Sequence, residues 1–143
     1  MEKSSVSAFD VVLKEGVSTL SVDRNSKVLK IAWHGRLNLD ATSKILNRGI
    51  DFIENGVCDK ILLNRIYLEE FTKDANNWIK QDILKARGKS LVHKVEKVAT
   101  VKSTTTMGNL FATVASSAIK VVYPNLNMRN FDSEENAIDW LLV

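Results

Sequence analysis

The sequence predicts an α/β domain. The expected architecture is a mixed, largely parallel β-sheet of about five strands with an N-terminal β-hairpin, in the order ββαβαβαβα. Three observations carry this. Two runs of period-two patterning, "VSTLSVD" and "KVLKIAWHG", flank the polar turn "RNS". An unalternated apolar run, Ile61-Leu62-Leu63, fits a central strand covered on both faces. Beyond Gly35, helical periods alternate with short apolar strands, which calls for right-handed crossovers and parallel pairing.

Residues 1–16 are weakly patterned, although Val6, Phe9, Val12 and Leu13 supply a short apolar stripe. Residues 17–143 are expected to form one domain. In its hairpin, Leu20 and Val22 share one face of the first strand, and Leu29, Ile31 and Trp33 share one face of the second. Asp40 is placed to cap a first helix, which would bury Leu46, Gly49, Ile50 and Ile53 and stop at Gly56. After Ile61–Leu63 the strand is expected to end at Asn64-Arg65. Thr72 then caps a second helix with Ala75, Ile79, Ile83 and Ala86 inward and Gly88 as its stop. "KVEKVATVK" gives a strand with Val98 and Val101 buried. A third helix from about Met107 would bury Leu110, Phe111, Val114 and Ala118. "YPN" turns the chain into a short strand over Asn127–Phe131. Ser133 caps a last helix that carries Ala137, Ile138 and Leu141.

Bulk properties narrow the function. With 143 residues the chain is long enough for one real core, and 45% apolar with 26% charged residues argues against disorder. No apolar run approaches a membrane span, and "MEKSSVSAFD" lacks the apolar centre of a signal peptide. The single cysteine, Cys58, excludes an internal disulfide and a multi-cysteine metal site, so the cytoplasm is the expected compartment. The window Lys85–Lys102 holds six cations against Glu96, and the rest of the chain is slightly acidic. It contains no aromatic residue for base stacking, so specific nucleic-acid binding is not expected.

Candidate chemistry is sparse. His34 and His93 lack a His, Cys or paired carboxylate at metal-ligand spacing, so no metal or other cofactor is expected. Cys58 fits a small packed residue, and Glu69-Glu70 fits solvated surface better than an acid/base couple. At least two of Trp33, Trp78 and Trp140 should belong to the core. The segment "KSTTTMGN" is the best anion-site candidate: Lys102, Ser103, Thr104, Thr105 and Thr106 precede an expected helix start, where free N–H groups favour negative charge.

The element order, "WHG" closing the second strand, the buried "ILL" strand and the terminal "FDSEENAIDWLL" resemble the SpoIIAA-like, STAS-related family over residues 17–143. The resemblance implies a mixed sheet with packed helices and, through relatives of the Sec14-type lipid-carrier fold, an apolar ligand cavity. Phospho-switched antagonists of that family carry a hydroxyl directly after the central strand. Here Asn64 stands at that switch-loop position, and Thr72 is the only hydroxyl candidate further along. The expectation is therefore a non-catalytic cytoplasmic regulatory module that contacts another protein or itself, as a homodimer. The alternative is a carrier or sensor with a small apolar or amphipathic ligand between helices and sheet, near Trp78, Leu110 and Phe111.

Overall fold

The computed structural model describes residues 8–104 and 123–143. Among them, six strands form one sheet in sequential order: β1 (Asp10–Glu15), β2 (Ser18–Asp23), β3 (Val28–Leu37), β4 (Lys60–Phe71), β5 (Lys97–Val101) and β6 (Met128–Phe131). Strands β1–β3 pair antiparallel, and β3–β6 pair parallel. The expected α/β class with its opening hairpin is present. The additional strand is β1, drawn from the weakly patterned N-terminal segment; it pairs with β2 through a register shift between Val11 and Leu13.

Helix α1 (Leu39–Glu54) connects β3 to β4. Its N-cap is Asn38, whose Oδ1 accepts from the Ala41 amide at 2.9 Å, and Asp40 lies in the first turn instead. Gly49, Ile50 and Ile53 are buried as the spacing predicts, and Gly56 follows the helix at φ +77°. That left-handed backbone suits glycine, which lacks the Cβ that crowds it. Between β4 and β5 the chain forms α2 (Lys73–Trp78), a π-helical stretch (Ile79–Lys85) and α3 (Gly88–Val92). Gly88 therefore begins a short helix and does not stop a long one. The last helix, α4 (Glu134–Leu141), is capped by Ser133, whose Oγ accepts from the Asn136 amide at 3.2 Å.

Two apolar clusters sandwich the sheet. One joins β2 and β3 to α1 and includes Leu20, Ile31, Trp33, Ile45 and Leu68. The other lies under α4 and includes Leu62, Val101, Ile138 and Leu141. Leu20, Ile31, Ile45, Leu62, Leu68 and Leu141 are fully buried, and each contributes about 1.5–3 kcal/mol through removal from water. Trp33 is core, whereas Trp78 and Trp140 are partly buried. Val98 and Val101 are buried in β5, and Ala137, Ile138 and Leu141 in α4, as the patterns predict. The expected helix from Met107, with Leu110, Phe111, Val114 and Ala118, lies outside the described residues, as does Val6.

Candidate functional site

Strand β4 organises the site. The expected strand end at Asn64-Arg65 is overturned: the strand runs on to Phe71, and Asn64, Tyr67, Leu68, Glu70 and Phe71 pair with β3. It places twelve residues beside ten of β3, with register shifts between Ala32 and His34 and between Gly35 and Arg36. Each shift inserts one extra β4 residue, a β-bulge that re-aims the side chains after it. The first leaves Arg65 and Ile66 together opposite Trp33. Ile61, Leu63 and Arg65 follow strict alternation, and the bulges then bring Leu68 and Phe71 back to the same face.

That face forms the floor of a cavity of about 310 Å³ between the sheet and the helices. Leu29, Ile31 and Trp33 of β3 extend the floor, and Leu46, Ile50 and Ile53 of α1 form one wall. Gly49 lets α1 approach: a Cβ there would lie 3.2 Å from Leu29 Cδ2. The opposite wall is the π-helical stretch, which contributes Ile79, Ile83 and Leu84 and contains no buried residue. Trp33 meets Phe71 edge to face, with ring centroids 5.1 Å apart. Such a pair adds about 0.5–1.5 kcal/mol beyond its area and fixes both rings.

Among the described lining residues Asn76, Lys80 and Thr100 are also polar, but Arg65 is the buried charge. It is 8% exposed, and among the described residues its Nε has no hydrogen-bond partner and its guanidinium no ion-pair partner. No aspartate or glutamate is among the described lining residues; Lys80, which is exposed, and Arg65 are the cations there. Burial lowers the Arg65 pKa, yet an arginine stays charged in a protein. An uncompensated buried charge costs several kcal/mol, so Arg65 is an energetically costly residue to place in this lining. The sequence signal for Arg65 was its odd-numbered place after Ile61 and Leu63.

The sequence-predicted positions lie elsewhere. Asn64 points to the opposite face, where its Nδ2 donates to Glu134 Oε1 at 2.8 Å and its Oδ1 accepts from the Ile66 amide at 3.0 Å. Thr72 is the N-cap of α2, but its Oγ1 donates to Asp74 Oδ1 at 2.6 Å and makes no capping bond. Ser103 Oγ donates to the Leu68 carbonyl at 2.9 Å and Thr104 Oγ1 to the Ile66 carbonyl at 2.8 Å, which ties the end of β5 to the bulged part of β4. Lys102 Nζ lies 3.4 Å from Asp132. Thr105 and Thr106 lie outside the described residues.

His34 stacks on Tyr67 with centroids 5.0 Å apart, and His93 is exposed at the end of α3. Cys58 is 1% exposed, and burial pushes its thiol up to about 11. Arg36 Nε lies 2.9 Å from Glu70, while Glu69 is exposed. Among the described residues no three His, Cys, Asp or Glu side chains form a metal-binding group, and no helix is long and apolar enough to cross a membrane.

No protein-family model matches the sequence, and no curated protein does. The fold has clear structural neighbours. The anti-sigma factor antagonist SpoIIAA in its unphosphorylated form superposes with a TM-score of 0.55 at 16% identity, covering 94% of this chain and 97% of that one. An uncharacterised DUF3478-family protein of SpoIIAA-like fold from Shewanella loihica gives 0.55 at 13%, covering 94% and 92%. The Bacillus cell fate determinant SpoIIAA in its phosphorylated form gives 0.52 at 15%, covering 94% and 99%. The chain has a SpoIIAA-like, STAS-type fold.

Proposed function

With a SpoIIAA-like fold as premise, we propose that this chain is a non-catalytic regulatory module. It holds a small, largely apolar ligand between helices and sheet and passes occupancy on to another protein chain or a second copy of itself. The observation that carries this reading is the cavity of about 310 Å³, lined almost wholly by apolar side chains. Its size lies at the lower end of small-molecule sites. The description of SpoIIAA as an anti-sigma factor antagonist supports the regulatory half of the reading. The lightly packed π-helical wall supports the ligand half, because π-helical insertions recur at functional sites.

The test is uptake of a small environment-sensitive apolar dye of about ten non-hydrogen atoms, compared between the wild-type chain and Leu63→Phe. Leu63 lines the cavity, so the larger ring takes up ligand space. The expected result is a folded variant with dye affinity reduced at least tenfold. Equal uptake by both proteins would place the dye elsewhere and sink the reading. Native mass spectrometry of the freshly purified chain then shows whether a ligand travels with it.

A further inference from the structure

We infer that the ligand of this cavity is a monoanionic amphipathic acid, a carboxylate on an apolar body of roughly ten non-hydrogen atoms, with Arg65 as the anion anchor. The inference rests on the ligand-binding reading above and names the ligand's chemical class.

The size follows from the volume. A cavity of about 310 Å³ holds on the order of ten heavy atoms at about 30 Å³ each, the share of one water in the liquid. The charge follows from Arg65. A guanidinium buried to this degree is normally met by a carboxylate, and none reaches it from the described residues. Its planar fork matches a carboxylate with two parallel hydrogen bonds. Nε is buried without a hydrogen-bond partner among the described residues, so the guanidinium is not fully satisfied by them. One buried cation compensates one negative charge, so a dianionic phosphate monoester would carry an unmatched charge into an apolar space. Lys80 lines the cavity but is itself exposed, so water already satisfies its ammonium group. Trp33 stands opposite Arg65 across the bulge, and with Phe71 it offers the ligand's tail an aromatic surface.

The experiment is a calorimetric titration of the full chain with octanoate, 1-octanol and octyl phosphate, using wild type, Arg65→Met and Arg65→Lys. Octanoate is expected to bind wild type at least tenfold more tightly than 1-octanol and more tightly than octyl phosphate. Arg65→Met should abolish the preference for the acid while keeping affinity for the alcohol, and Arg65→Lys should retain only part of the preference. The empty Arg65→Met protein should also melt at a higher temperature, because a buried unpaired charge has been removed. Equal wild-type affinity for octanoate and octanol, a preference that survives in Arg65→Met, or tighter binding of octyl phosphate would overturn the inference and leave the cavity reading standing. Binding of none of the three would overturn both. A lower melting temperature for empty Arg65→Met would show that Arg65 holds the unliganded fold together, and would also overturn the anchor role.

Discussion

The ring of Tyr123 occupies the space a side chain on Gly88 would need. A Cβ at Gly88 would overlap the Tyr123 hydroxyl and press on its ring, and that hydroxyl donates to the Leu84 carbonyl at 2.6 Å. The contact pins the end of the π-helical wall of the cavity to the segment that enters β6. Gly88→Ala is therefore expected to destabilise the fold by about 1–3 kcal/mol, the usual range for overpacking. Tyr123→Phe should cost about 0.5–1.5 kcal/mol for one lost hydrogen bond. Urea unfolding of the double variant Gly88→Ala/Tyr123→Ala, alongside the single variants Gly88→Ala and Tyr123→Ala, is the check. Its cost should fall well below the sum of the single costs, because the clash disappears with the ring.

The helix starts differ in what holds them. Asn38 Oδ1 accepts from the Ala41 amide, whereas at the start of α2 Asp74 Oδ1 accepts both the Thr72 hydroxyl and the Ala75 amide. Asn38→Ala is expected to cost about 1 kcal/mol, the value of a lost cap, and Thr72→Ala clearly less. The Thr72 hydrogen bond holds the Asp74 carboxyl below its ordinary value. That contribution is present above the ordinary carboxylate range and disappears as pH falls through the depressed value. Chemical denaturation of both variants at neutral and acidic pH tests the order.

Most of the fold was legible because its buried positions repeat at fixed periods. Leu20 and Val22, Ile61 to Leu63, and Ala137, Ile138 and Leu141 were all placed from spacing alone. Strand β1 was not, because as an edge strand it leaves Val11 half exposed and needs no clean alternation. The end of β4 was misplaced for a related reason. Two bulges break the period of β4, so cavity-facing Ile61, Leu63, Arg65, Leu68 and Phe71 lie at spacings that match no single strand template. A polar pair, Asn64-Arg65, then looked like a strand end. Asn64 and Arg65 in fact serve opposite faces, one bound to α4 and one turned into the cavity.

Glu134 ties three elements on the face opposite the cavity. Its carboxylate accepts from Lys30 Nζ at 3.1 Å and from Asn64 Nδ2 at 2.8 Å, and all three side chains are partly buried. It also sits in the first turn of α4, where negative charge is favoured. Glu134→Ala should cost about 2 kcal/mol, within the range for hydrogen bonds to a charged group. Asp132, paired with Lys102 at the surface, is the control. Asp132→Ala should cost roughly 0.5 kcal/mol or less, because exposed ion pairs contribute little. Equal unfolding midpoints for the two variants would refute this ranking.

Cys58 tests whether the core is as dry as the packing implies. Burial raises its thiol from an ordinary value near 9.0 to about 11, ahead of the smaller influences of Arg24, Asp59, Asp23 and Lys27. In the unfolded chain the thiol ionises near the ordinary value. The folded protein thus binds that proton more tightly, and the associated stability is complete below about pH 9 and is lost as pH rises toward 11. Two outcomes follow. Iodoacetamide at pH 8 should leave the native thiol nearly unmodified and label it rapidly in denaturant, since only the thiolate attacks. Between pH 9 and pH 11 the wild type should lose stability faster than Cys58→Ala, which lacks the titrating group. Lysine and tyrosine ionisation affects both proteins alike, so the difference in slope isolates the cysteine. Rapid native labelling at pH 8 would show that water reaches the junction of α1 and β4, and the apolar cluster containing Cys58 would have to be looser than its burial indicates.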